Sequence, residues 1–149
     1  MDLGLNGKVA IITGGSDGIG KAAASSLATE GAKVAIVGRT QAKLDAAVAE
    51  IKAESGGTVI GVTADVSVES DVQAMVAKVV AEFGGVDILV NNAGTSSATT
   101  LEKMTDDDLK VDFGIKIYGA IYCARAVLPY LKASGTGAIV NTTTPGGKA

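Results

Sequence analysis

The stretch ITGGSDGIGKAA, Ile12–Ala23, supports two incompatible readings. Gly15, Gly20 and Lys21 supply most of G-x-x-x-x-G-K-[ST], the loop that cradles a nucleotide triphosphate. Gly14, Gly18 and Gly20 supply G-x-x-x-G-x-G, a close cousin of the dinucleotide fingerprint. Both patterns aim backbone N–H groups at a phosphate from a helix N-terminus. The neighbourhood decides between them. Position 22 is alanine, so the hydroxyl that would hold Mg²⁺ is missing. Asp17 sets a carboxylate inside the loop, where it would repel a triphosphate, and no strand ends in an aspartate of the Walker-B kind with obvious partners. The dinucleotide reading has the context it requires, because the loop directly follows an apolar run, KVAIITG, and opens a helix.

Outward from that loop the chain alternates. KVAIITG (Lys8–Gly14) and KVAIVG (Lys33–Gly38) read as buried strands ending in glycine. Between them lies a helix with Ile19, Ala23 and Leu27 at helical spacing and Gly31 as its stop signal. A second helix, about Thr40 to Glu54, carries Leu44, Ala47, Val48 and Ile51 on one face. TVIGVTADV is a third strand, and Ser67 is expected to cap a helix running to about Phe83. DILVNNAG is a fourth strand, a long helix spans roughly Thr105 to Ala133, and GAIVNTTT is a fifth strand. This rhythm predicts right-handed βαβ units, hence an α/β fold with a doubly wound parallel sheet. No repeat or low-complexity linker divides residues 1–149, which read as one dinucleotide-binding domain. No helix follows the fifth strand, which is left as an unpaired apolar edge, so the chain reads as truncated there.

The second strand ends in VGRTQAK, where a dinucleotide fold meets the adenosine ribose. An Asp or Glu there would bind the 2′-hydroxyl of NAD. Arg39 stands in its place, and the first acid after the strand is Asp45. A cation fits a 2′-phosphate, so the expected cofactor is NADP(H), with NAD(H) as the alternative; Asp17 counts mildly against a very anionic ligand.

Composition removes other chemistries. The 149 residues are 47% hydrophobic and 19% charged, a globular balance. There is no histidine, so no imidazole catalysis and no histidine metal ligand; one cysteine, Cys123, permits no thiolate zinc site and no internal disulfide. No metal site is expected. A net charge of −3 without a basic tract argues against nucleic acid. No apolar run approaches membrane-spanning length and MDLGLNGK is no signal peptide, so a cytoplasmic protein without a membrane partner is expected. Cys123 itself reads as a small buried hydrophobe.

Three motifs in register then carry a resemblance. TGGSDGIG (Thr13–Gly20) resembles the T-G-x-x-x-G-x-G of the short-chain dehydrogenase/reductases, ADV (Ala64–Val66) looks like that family's aspartate after the third strand, and NNAG (Asn91–Gly94) is similar to its signature after the fourth. The resemblance extends over essentially the whole chain. It implies a Rossmann-type sheet of order 3-2-1-4-5 and hydride transfer between nicotinamide and a small carbonyl or alcohol substrate. It implies cofactor contacts at Gly14, Ser16, Gly18, Ile19 and Gly20 around the pyrophosphate, in a loop that also holds Asp17. Asp65 and Val66 are implied at the adenine, and Asn91, Ala93 and Gly94 behind the adenosine ribose. A homo-oligomer, dimer or tetramer, is implied as well.

The family's catalytic residues look like a tetrad of Asn, Ser, Tyr and Lys. The tyrosine exchanges the proton, the lysine lowers its pKa, the serine holds the substrate oxygen and the asparagine organises a water relay. A proton transfer must accompany the hydride, and an unassisted phenol near pKa 10 is poorly tuned for neutral pH. No Tyr-x-x-x-Lys occurs within these residues, and Tyr118, Tyr122 and Tyr130 read as helix-packing residues. The asparagine position, in KIYG, is Lys116, and the serine position, in TTT, is Thr144. These are the two candidate catalytic positions. An oxidoreductase is the expected function of a longer parent, with a non-catalytic nucleotide-binding relative or an inactive fragment as the alternative. Asp106, Asp107 and Asp108 follow Thr105 and read as a capped first helical turn, and Pro129 predicts a kink or an early end to the long helix.

Overall fold

The computed structural model describes residues 1–94 and 99–143. Five strands, β1 (Val9–Thr13), β2 (Lys33–Gly38), β3 (Thr58–Thr63), β4 (Ile88–Asn91) and β5 (Ala138–Asn141), form one sheet of order β3-β2-β1-β4-β5. Every pairing is parallel. The helices are α1 (Gly18–Thr29), α2 (Gln41–Ser55), α3 (Glu69–Phe83), α4 (Asp106–Phe113) and α5 (Gly119–Ser134). The expected doubly wound, Rossmann-type sheet is what forms.

Period-two alternation explains why the central strands are apolar throughout. Ile12, Val34, Ile36 and Val59 face α1 and α2, packing on Ala24, Ala28, Leu44, Ala47 and Ile51. Val9, Ile11, Ala35, Val37 and Val62 face the other way, onto Val72, Met75, Val76 and Val79 of α3 and Cys123, Val127 and Leu131 of α5. Strands covered on both faces need apolar residues at consecutive positions. No helix among the described residues is long and apolar enough to cross a membrane.

Four local expectations are corrected. In α1 the buried face is Gly20, Ala24 and Ala28, and Ile19 is 73% exposed. The small face wins because the helix lies close against the sheet. Ser67 does not cap α3: the capping position is Val68, which makes no side-chain cap bond, while Ser67 turns back to Asp65. The long helix is not uniform, since a π-helical turn, Gly114–Tyr118, joins α4 to α5. Pro129 does not end α5, which continues to Ser134 and its left-handed cap Gly135. At the sheet edge β5 is exposed along its whole length, and among the described residues it pairs with β4 alone.

Candidate functional site

The candidate cofactor-binding residues gather at the C-terminal ends of β1 to β4, where the chain leaving β1 enters α1 on one face of the sheet and the chain leaving β4 leads to α5 on the other. Ligands of open parallel sheets bind at this switch in strand order. Thr13 ties the two loops together. Its hydroxyl accepts from the backbone N–H groups of Asn92 and Ala93, both at 3.0 Å, and donates to the Val90 carbonyl at 3.4 Å. The Asn92 amide donates across the same gap to the Gly14 carbonyl at 3.2 Å.

Close approach fixes the glycines. Gly14 has φ +64°, and a Cβ there would lie 3.1 Å from the Ala93 Cα. At Gly15 a Cβ would stand 2.6 Å from the Ile36 side chain. At Gly20 it would overlap the Gly14 carbonyl oxygen and lie 2.5 Å from the Asn92 amide nitrogen. The start of α1 is therefore pressed flat against the β1 loop. Asp17 caps that helix, accepting from Gly18 N–H at 2.8 Å. The Ile19 and Gly20 N–H groups, which no helix can satisfy internally at its first turn, have no acceptor among the described residues.

From this loop a cleft of about 390 Å³ runs along the sheet edge, lined by Gly14, Ser16, Asp17 and Gly18, then Gly38 to Thr40 and Lys43, with Asp65 and Val66 at its far end. Arg39 and Lys43 are both exposed. No acid is ion-paired with either among the described residues, where the ion pairs are Lys21–Glu50 and Arg125–Glu69. Asp45 is held by the Gln41 amide at 2.7 Å and does not line the cleft. At Asp65, Oδ1 accepts from the Ser67 N–H at 3.0 Å and its hydroxyl at 2.6 Å, while Oδ2 has no partner among the described residues. One carboxylate thus holds its own turn and keeps an oxygen free for a ligand.

A second cavity, about 720 Å³, lies beyond a wall shared with the cleft and built from Val66, Asn92, Ala93, Gly94 and Ile115. It takes in Ile19, Asn91, Lys116 and Thr142. The π-helical turn sets Ile115 inward and Lys116 outward, with the lysine stem lying against Gly94. Asn91 is buried and ties three elements, donating to Asn141 Oδ1 at 3.0 Å and to the Ala120 carbonyl at 3.4 Å.

A sequence model of the short chain dehydrogenase family matches residues 8–149. This chain belongs to that family. It is 38% identical over 147 residues to the uncharacterised oxidoreductase YvrD of Bacillus subtilis, covering 99% of this chain and 55% of that protein. Among solved structures it resembles L-sorbose reductase from Gluconobacter frateurii, complexed with NADPH and L-sorbose (TM-score 0.88, 41% identity, 95% of this chain and 54% of that one). It also resembles an alcohol dehydrogenase from the archaeon Thermococcus sibiricus, complexed with 5-hydroxy-NADP (TM-score 0.85, 34% identity, 92% and 58%). The chain spans about half the length of the curated relatives it matches.

Set against the family pattern, the candidate residues divide. Gly14, Ser16, Asp17, Gly18, Arg39, Asp65, Val66, Ala93 and Gly94 line the cleft together. Ile19 and Asn91 line the second cavity instead, and Gly20 acts by close packing. Thr144 lies outside the described residues. Lys43 was not singled out from sequence, and Asn92 only as a member of the NNAG run. Lys43 had a signal, a second cation one helical turn after Arg39, whereas nothing in NNAG distinguishes the asparagine that spans the gap.

Two tempting clusters are structural. Thr105 accepts from Asp108 N–H at 3.1 Å, while Asp108 accepts from the Thr105 N–H at 2.9 Å and hydroxyl at 2.8 Å, a reciprocal capping box. The Thr105 backbone bond, then its hydroxyl, hold the Asp108 carboxyl below its ordinary value. Tyr118 and Tyr122 stack obliquely, ring centres 6.1 Å apart.

Proposed function

We propose that the parent of this chain is an NADP(H)-dependent oxidoreductase that moves a hydride between nicotinamide and a small carbonyl or alcohol. The observation that carries the reading is the pairing of Arg39 with Lys43 on the cleft, with no ion pair to an acid among the described residues. Two cations beside the start of α2, which has no acid in its first turn, suit a 2′-phosphate better than a free hydroxyl. The relatives solved with NADPH and 5-hydroxy-NADP support the same choice. NAD(H) is the alternative cofactor.

The residues present fit the group. The Ile19 and Gly20 N–H groups, at the positive end of α1, would face the pyrophosphate. Asp65 Oδ2 is an acceptor for the adenine amino group, and Gly14, Ala93 and Gly94 line the cleft where the ribose would lie. When bound, the nicotinamide supplies or receives the hydride. The chain's own share is to hold the reactants and exclude water. Thr144, at the family's serine position, keeps the hydroxyl needed to hold a substrate oxygen. Lys116, at the asparagine position, brings a charge and lacks an acceptor. That exchange favours a second reading, a nucleotide-binding relative without turnover. A homo-oligomer belongs to the proposal too, supported by Leu109, Phe113, Ile117 and Ile121, which stay exposed along one stripe of the helix.

Fluorescence titration with NADPH and NADH tests the cofactor assignment. Charge-assisted bonds to the 2′-phosphate should make NADPH bind roughly tenfold or more tightly. Arg39→Ala should remove most of the difference. An Arg39→Ala protein that keeps the preference defeats the assignment. Steady NADPH oxidation with simple ketones separates the enzyme from the binding relative.

A further inference from the structure

The second cavity is almost electrically bare. Its described lining holds threonines, asparagines, glycines, alanines, isoleucines and Val66, and Lys116 is the one charged side chain among them. Several of the polar groups around it are engaged with each other. Asn91 donates to Asn141 and Ala120, Asn92 donates to Gly14, and the Thr142 hydroxyl donates to Asn92 Oδ1 at 2.9 Å. The Lys116 ammonium has no hydrogen bond or ion pair among the described residues. Its stem passes close to the NNAG loop, since a Cβ at Gly94 would stand 3.0 Å from the Lys116 Cε. The stem therefore runs along the NNAG loop, at the wall that divides the second cavity from the cofactor cleft. It lines the cavity and not the cleft.

We propose that Lys116 reads an anionic group of the substrate, so that this protein takes carbonyl or hydroxy compounds carrying a carboxylate. The inference rests on the cofactor reading above, which assigns the cleft to the adenosine half of the nucleotide and leaves the second cavity to the nicotinamide end and the substrate beside it. An ammonium on a cavity whose other side chains are neutral gains an ion-paired hydrogen bond only when a ligand supplies the anion. A neutral ketone of the same length leaves it in solvent. The same chemistry could be met by a phosphate of the cofactor, but the lysine's place on the second cavity favours the substrate.

The test is ligand-observed NMR on the NADP⁺-loaded chain, comparing 2-oxobutyrate with 2-butanone, which differ by a carboxylate in place of a methyl group. Wild type should bind 2-oxobutyrate about tenfold more tightly. Lys116→Met, which keeps the apolar stem, should abolish the difference, and Lys116→Arg should retain it. Equal or undetectable binding of both compounds by wild type overturns the proposal and makes Lys116 a solvated helix residue. So does a carboxylate preference that survives Lys116→Met. If Lys116→Met weakens NADPH binding tenfold before any carboxylate is added, the ammonium serves the cofactor phosphate and the substrate assignment falls. Failure of wild type to bind NADPH at all is a separate outcome: it overturns the cofactor reading, and this inference with it.

Discussion

The two halves of the sheet are built by the same βαβ rule and differ in what they leave finished. Around β1, β2 and β3 the strands are covered on both faces and the loops are locked by backbone contacts, so the cleft is preorganised before a ligand arrives. Around β4 and β5 the outer strand is exposed, the long helix carries a π-helical turn, and an exposed lysine lines the cavity. π turns recur where function outweighs regularity. On the proposed reading, nucleotide recognition and substrate recognition are separable in this fold, with Asn92 and Thr13 as the joint.

Breaking the first half should cost most. Gly20→Ala puts a Cβ onto the Gly14 carbonyl and the Asn92 amide, and backbone cannot yield as a flexible side chain does. Chemical denaturation should show a loss of roughly 1–3 kcal/mol, with NADPH binding abolished. The joint comes next. Asn92→Ala strands the Gly14 carbonyl and removes the acceptor of the Thr142 hydroxyl, so the same measurement should show about 1–2 kcal/mol and a weakening of both cofactor and substrate binding. An effect confined to one ligand would show that the halves are not joined there.

A smaller change sharpens the first half. Asp17→Asn keeps a capping side chain at α1 and removes a negative charge from the cleft, so NADPH should bind a few-fold more tightly with stability nearly unchanged. Calorimetric titration reads it, and a weaker complex would mean that the carboxylate is needed there. The smallest effect belongs to the second half. Asp108 has its carboxyl lowered by Thr105, so the capping box stabilises α4 above the ordinary value of 3.8 and that contribution fades as the pH falls through the lowered value. Helicity followed by circular dichroism should show acid fraying of α4 that Thr105→Ala removes. Cys123 supplies a control on the shared core: burial pushes its thiol up to about 12, so iodoacetamide at pH 8 should label unfolded but not native protein.

Most of the scaffold was legible because burial on both faces of a parallel sheet forces long apolar runs; the strand order came from the family resemblance and not from the runs. Leu44, Ala47 and Ile51 lie where periodicity put them. Ile19 misled, because close helix–sheet packing selects small residues and buries Gly20, Ala24 and Ala28, with Leu27 half-buried against the same core. Ser67 misled because the capping position falls one residue later, at Val68, and the Ser67 hydroxyl turns back to donate to Asp65. The π-helical turn left no mark in the sequence, since Gly114 and Gly119 are equally compatible with a regular helix. Arg39 was readable as a cation in place of an acid, while the free ammonium of Lys116 depends on what fails to surround it, which only coordinates reveal.

The most direct test of the central claim, that the first half is a complete 2′-phosphate-reading site, uses a ligand that never reaches the second half. Displacement titrations of 2′,5′-ADP against 5′-ADP on the wild-type chain isolate the adenosine cleft. The account predicts that 2′,5′-ADP binds roughly tenfold or more tightly, with the advantage shrinking as salt is raised. Equal affinity, or a preference for 5′-ADP, would contradict it.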